Sequence, residues 1–161
     1  MDKESEFIRI IKQHEGVIFK ITSFYTDNKV DQQDLYQDIV YQLWKSFESF
    51  RGEAKISTWM YRIALNTALT KIRNSKKKEY SVSIDIVVLE QTENQDPEFE
   101  ERLRKLYHQI GQLNVLEKGI MLLLLEGKKY EEIAEITGLS SSNVGTRISR
   151  IKEKLKSQLK E

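Results

Sequence analysis

Three observations predict an all-α fold made of two small helical domains. Seven glycines and a single proline, Pro97, in 161 residues leave few of the turns that punctuate a strand-rich chain, while Leu, Ile, Glu and Lys dominate. Apolar residues recur at helical spacing, as in Leu35, Ile39, Leu43, Phe47 and Phe50, and again in Val144, Ile148, Ile151 and Leu155. Between these segments runs an acidic stretch, Glu79 to Glu101, which is poor in apolar residues apart from Val82 to Leu89 and holds the proline. It reads as a flexible linker. The domains are therefore placed at residues 1–78 and 102–161, joined by the acidic linker 79–101. Segments of about 75 and about 60 residues each just suffice for a helical core.

In the first domain, Phe7, Ile10, Ile11, Val17, Ile18 and Ile21 predict one amphipathic helix over Phe7 to Thr26, with a weak point at Gly16. A second helix is expected from Asp31, a good N-cap residue, to about Phe50. At about 100° per residue, Asp34, Gln37, Asp38, Tyr41, Lys45 and Glu48 fall opposite its apolar face. That face is polar and slightly acidic, fit for solvent or for docking. A short connection follows, Phe50 to Ser57, with a flexible glycine at 52, and then Ser57 or Thr58 caps a third helix that runs into Lys76, Lys77 and Lys78. On its wheel Trp59, Arg62, Asn66, Thr70 and Arg73 share one stripe, and Met60, Tyr61, Ala64, Leu65, Ala68 and Ile72 take the other side. An indole, an amide and two guanidinium groups are the types needed to stack on bases, bond their edges and neutralise phosphates, and equally the pattern fits Trp59 packing on the second helix with the arginines in solvent.

In the second domain, Leu113 to Leu125 forms an apolar helix that ends at Glu126-Gly127, where glycine takes the left-handed cap conformation. A short helix, Tyr130 to Thr137, leads into a tight turn at Gly138-Leu139, and Ser140 to Ser142 offer N-caps for a last helix to about Leu159. Ala134 where two helices cross, Gly138 in the turn and the inner face from Val144 to Leu155 fit a helix-turn-helix. Its second helix would present Ser141, Ser142, Asn143, Thr146, Arg147 and Arg150 to DNA, with Lys152, Lys154 and Lys156 behind them.

The formal net charge of +1 conceals a block pattern: −3 over residues 1–50, +7 over 51–78, −8 over 79–101 and +5 over 102–161. Binding to a polyanion follows the local field, so both basic blocks point to nucleic acid. The chain has no cysteine, and its two histidines, His14 and His108, are far apart, which excludes thiolate chemistry and argues against any metal centre or cofactor. The longest apolar run, Ile120 to Leu125, is far short of the roughly 20 residues that cross a bilayer. Asp2, Glu4 and Glu6 stand where a signal peptide needs a basic start, so a cytoplasmic protein is expected. No phosphate-binding glycine loop and no histidine beside a nucleophile suggests an enzyme.

These residues carry a resemblance. Asp34-Leu35-Tyr36-Gln37-Asp38-Ile39, Phe50-Arg51-Gly52-Glu53-Ala54-Lys55, Ser57-Thr58-Trp59-Met60-Tyr61-Arg62-Ile63-Ala64-Leu65-Asn66, Leu113-Asn114, Glu126 to Ala134 and Arg147-Ile148-Ser149-Arg150 look like a bacterial extracytoplasmic-function sigma factor. The likeness spans nearly the whole chain outside the linker. It implies sigma region 2 in the first domain, sigma region 4 in the second, and a DNA-templated transcription initiation subunit of RNA polymerase. Asp34, Gln37, Asp38 and Tyr41 would then dock on the core polymerase. The connection after Phe50, with Arg51, Lys55, Trp59, Arg62, Asn66 and Arg73, would recognise and melt the −10 element and hold an unpaired base. Ser141, Ser142, Asn143, Thr146, Arg147, Arg150 and Lys154 would read the −35 element of promoter DNA. The acidic linker would thread toward the polymerase active-site cleft, and regulation would come from an anti-sigma factor. Three positions depart from the family: Gly145 and Ser149, where larger side chains are usual, and Thr70, near which the family often has aspartate. A stand-alone helix-turn-helix regulator is the competing reading, but it gives no reason for the stripe around Trp59 and Asn66.

Overall fold

The computed structural model describes residues 2–75 and 96–159, all of its elements being helices. The lysine run 76–78 and the linker as far as residue 95 lie outside the described residues. The chain divides into two compact units, one on each side of that stretch.

The first unit holds α1 (Lys3–Gln13), α2 (Glu15–Tyr25), α3 (Lys29–Phe47) and α4 (Ile56–Asn74). The single helix expected over Phe7 to Thr26 is two. His14 leaves the helical region at φ −118° and ψ 21°, and the break falls there rather than at Gly16. Asp2 caps α1, its carboxylate accepting from Ser5 N–H at 2.7 Å, a bond that holds its pKa below the usual carboxylate value. α2, α3 and α4 pack on one another and α1 lies against α3. Ile18, Ile21, Phe24, Leu35, Ile39, Leu43, Met60, Ala64, Leu65 and Ala68 fill the core between them. Gln32 ties α3 to α2 by donating to the Ser23 hydroxyl at 2.8 Å, and at the end of α2 the Thr26 hydroxyl donates to the Thr22 carbonyl at 2.6 Å. These bonds satisfy groups whose burial would otherwise be costly.

Two expected caps move. Asn28, not Asp31, caps α3; its side-chain oxygen accepts from Asp31 N–H at 2.8 Å while its amide donates to the Asp31 carboxylate at 2.9 Å. Asp31 is the reciprocal partner of the cap, which suits an acid in a first turn. α4 begins at Ile56 after Lys55, so Ser57 and Thr58 are inside the helix and Thr58 is buried. Packing of Thr58 to Tyr61 outweighs the capping preference of a hydroxyl here.

The second unit holds α5 (Pro97–Gly111), α6 (Val115–Leu125), α7 (Tyr130–Thr137) and α8 (Ser141–Leu159). α5 is the one helix absent from the sequence expectation, and its first turn, from Pro97, falls inside the segment read as linker. Asp96 caps it by accepting from Glu98 N–H at 3.1 Å, Pro97 opens it, and Glu98 and Glu100 complement its dipole. The acidic charge read as linker character is partly helix-start chemistry. α6 starts one residue past Asn114, which forms a capping box with Glu117, so Leu113 is a buried residue ahead of the helix. Gly127 at φ 81° and Gly138 at φ 82° take the left-handed conformation after α6 and α7. Ser140 caps α8, its hydroxyl accepting from Asn143 N–H at 3.0 Å. Val144, Ile148, Ile151 and Leu155 are buried, and α8 packs on α5, α6 and α7.

Candidate nucleic-acid interface

In the second unit, α7, the Gly138 turn and α8 build the helix-turn-helix. Because α8 buries one side through Val144, Ile148 and Ile151, the other side is committed to the surface. Ser141, Ser142, Asn143, Thr146, Arg150 and Lys154 are exposed there and Arg147 is half-buried. Two of these side chains are already held. Arg147 donates its Nε–H to Asn143 Oδ1 at 2.9 Å, one turn back, and the Thr146 hydroxyl donates to the Ser142 carbonyl at 3.0 Å. Gly145 lies beneath Tyr130: a Cβ there would stand 3.5 Å and 3.6 Å from two carbons of the Tyr130 ring. The bare position on α8 is thus flanked by an aromatic ring from α7.

In the first unit the α4 stripe is not uniformly exposed. Asn66, Thr70 and Arg73 face solvent and Arg62 is half-buried, but Trp59 is only 7% exposed. Its indole packs on Phe50 with ring centroids 4.9 Å apart and on Phe47 at 6.2 Å. The open stacking surface expected at Trp59 is therefore covered, because the connection after α3 folds Phe50 back onto it. The same fold makes a small pocket of about 290 Å³, lined by Phe50, Arg51, Glu53, Trp59 and Arg62 among others. Arg51 and Lys55 are exposed on the connection, where Gly52 turns the chain at φ 74°. An aromatic wall beside two guanidinium groups suits a flat, electron-rich ring joined to phosphate.

On α3, Asp34, Gln37, Asp38 and Tyr41 are all exposed, with Tyr41 at 58%. The Lys45 ammonium lies 5.5 Å from the centroid of the Tyr41 ring. Asp38 is bound across to α4 by Lys71 at 2.7 Å. That ion pair sits in a groove of about 640 Å³ between α3 and α4, lined by Asp38, Tyr41, Asn66, Thr70, Lys71 and Asn74 among others. The α3 face and the α4 stripe are thus one continuous surface. Sequence reasoning missed Lys71, since nothing in its local pattern reveals a partner 33 residues away, and Asn74, which only the groove brings beside it. It also left Phe47 as a plain core residue.

Among the described residues no group of His, Asp or Glu is placed to hold a metal ion, and no helix is long and apolar enough to cross a membrane.

Comparison with known proteins gives a consistent result. The family model described as Sigma-70 region 2 matches residues 10–78, and the one described as Sigma-70, region 4 matches residues 103–155. The ECF RNA polymerase sigma-E factor of Haemophilus influenzae is 31% identical over 173 residues, covering 98% of this chain and 89% of that protein. RNA polymerase sigma factor SigV of Bacillus subtilis is 28% identical over 153 residues, covering 94% and 90%. Two solved structures share the fold at 19% identity. CnrH, in complex with the cytosolic domain of CnrY, has a TM-score of 0.68 and is matched over 98% of this chain and 90% of its own. RpoE of Bartonella quintana, in complex with the anti-sigma factor NepR, has a TM-score of 0.64, with 98% and 96% covered.

Proposed function

The chain belongs to the extracytoplasmic-function branch of the sigma-70 family, and from that membership we propose that it binds bacterial core RNA polymerase and directs promoter-specific initiation of transcription. The observation that carries this reading is the presence in one chain of both matched regions, 10–78 and 103–155, each folded as its own helical unit. A stand-alone regulator needs only the second. The work divides by unit: residues 1–78 serve polymerase docking and the −10 element, and 102–161, with the earlier residues of α5, serve the −35 element. Opening a duplex costs unstacking energy that a small protein alone does not offset. Two modest DNA-binding modules carried on a large enzyme supply it through effective concentration.

Within that division, Asp34, Gln37, Asp38 and Tyr41 form the polymerase-docking face, all on the exposed side of α3. Arg51, Lys55, Arg62, Asn66 and Arg73 contact the −10 strand, and the pocket beside them takes an unpaired base. Trp59 serves this region as a wall of the pocket, stacked behind Phe50. Ser141, Ser142, Asn143, Thr146, Arg147, Arg150 and Lys154 face the −35 duplex. Partners of this kind place the protein in the cytoplasm, and an anti-sigma factor is its expected regulator, as the structure neighbours captured with CnrY and NepR suggest.

The deciding experiment is run-off transcription by purified bacterial core polymerase, with and without the protein, on a library of upstream regions that includes its own gene's. Specific starts that require the protein are the expected result. No starts, no core binding and specific duplex binding together would establish a stand-alone regulator instead.

A further inference from the structure

No residue of α1 lines the pocket, yet α1 is tied to its walls by a chain of rings. Phe7, on α1, is 6% exposed and sits against two aromatic residues near the end of α3: Trp44 at 5.0 Å and Phe47 at 5.3 Å between centroids, the latter edge-on. Phe47 meets Trp59 at 6.2 Å, and Trp59 meets Phe50 at 4.9 Å with the planes 38° apart. Phe50 and Trp59 are walls of the pocket that also holds Arg51 and Arg62. A second tie lies at the same place: Lys3 pairs with Glu48, immediately after α3, and its ammonium lies 5.0 Å from the Trp44 ring centroid. The connection that carries Phe50 and Arg51 therefore leaves α3 from a point that α1 clamps by one ring and one ion pair.

We propose that Phe7 is a positioning residue for the base pocket, holding Phe47 so that Trp59 and Phe50 keep the wall against which an unpaired base of the −10 strand stacks. This rests on the reading of that pocket given above. The physical argument is one of packing. Phe47 is only partly buried, so the face it offers to Trp59 depends on what stands on its other side, and that is Phe7. Rings in edge and tilted contact fix one another's orientation more sharply than aliphatic groups do. Removing the Phe7 ring leaves space into which Phe47 turns, and Trp59 then loses one of its two ring contacts. The predicted deficit is in how well a base is held, and neither docking on polymerase nor phosphate contacts depend on it.

The test uses holoenzyme reconstituted from core polymerase and the full chain, with fork-junction fragments of a promoter identified by run-off transcription. Abasic sites are first scanned along the unpaired strand to find the base whose loss weakens wild-type binding most. Phe7→Leu is then compared with wild type on the intact fork and on the fork abasic at that position. Phe7→Leu is expected to weaken binding of the intact fork by about fivefold, leave the abasic fork unchanged and keep core binding, while Phe7→Tyr restores the wild-type value. Should Phe7→Leu fail to fold, Phe7→Met, with flexible apolar bulk and no ring, must show the same selective loss. Equal weakening on both forks, or none on either, overturns the inference. A wild-type protein indifferent to every abasic site overturns the base-pocket reading and this inference with it; a discriminating wild type with an unaffected Phe7→Leu overturns this inference alone.

Discussion

The hydrogen bond between Arg147 and Asn143 gives the sharpest test of the −35 surface. The bond, 2.9 Å long, engages Nε and leaves the two terminal nitrogens of the guanidinium outside it. A bidentate contact from such a group to a base is worth about 1–3 kcal/mol, so Arg147→Ala should weaken holoenzyme binding to a duplex promoter by roughly 5- to 150-fold. Asn143→Ala removes only the group that steers the arginine. The bond is exposed, so its net worth is about 1 kcal/mol, and the variant should lose roughly fivefold. If Asn143 acts through Arg147, the second substitution costs almost nothing once the first is made, and the coupling energy of the double-mutant cycle is about 1 kcal/mol. The assay is a Kd for each of the four holoenzymes on one duplex promoter fragment at one salt concentration, since phosphate contacts make any affinity salt-dependent. If Asn143→Ala costs the same with and without Arg147, Asn143 touches DNA on its own account and the steering argument is refuted.

Trp59→Ala would empty a buried aromatic site at a cost of about 3–5 kcal/mol, a large part of a small domain's stability, so the informative variant is Trp59→Phe. It should keep core binding and lower permanganate reactivity of the melted bases; undiminished reactivity would clear Trp59 of a role in opening. Asp38→Arg should weaken co-purification with core polymerase, both by reversing charge on the docking face and by setting a cation against Lys71. Unchanged recovery would remove Asp38 from that face. Asn114→Ala breaks the capping box of α6 and should cost about 1 kcal/mol, lowering the Tm of the second unit by about 4–8 °C. A first-unit transition that shifted instead would contradict the division into independent units.

Much of this was legible in the sequence because it is local. The helix-turn-helix could be read from Gly138, which takes the left-handed turn, and from the spacing of Val144, Ile148, Ile151 and Leu155, which are buried. The exposed face of α3 followed in the same way from Leu35, Ile39 and Leu43. What escaped depends on competition or on distance. His14 breaks a helix whose apolar spacing runs through it, since periodicity reports faces and not continuity. α5 hid in acidic composition because its caps and dipole partners are the residues a linker also uses. The wheel angle of Trp59 fits either a DNA-facing stripe or packing on the preceding helix; Phe47 supplies the second, and the return of Phe50 across a connection with no period is the part no pattern foretells. Asp38 and Lys71 meet from different helices, and no pattern within either helix foretells the pair.

Residues assigned to recognition in this chain are already engaged, and the strength of each engagement decides what it does. Trp59 is buried between Phe47 and Phe50, so its orientation is fixed before any base arrives and ordering it costs nothing further on binding. Arg147 is held by one exposed bond of about 1 kcal/mol, enough to bias the side chain and weak enough to allow adjustment to a base edge. The Asp38–Lys71 pair is different in kind. Its side chains are 53% and 35% exposed, and a pair in that setting is worth about 0–1 kcal/mol. A cationic partner arriving at Asp38 can therefore displace Lys71 at little cost. The released ammonium remains beside Asn66, Thr70 and Asn74 in the same groove, so a cation bound at Asp38 would leave an uncompensated positive charge beside the proposed −10 surface of α4.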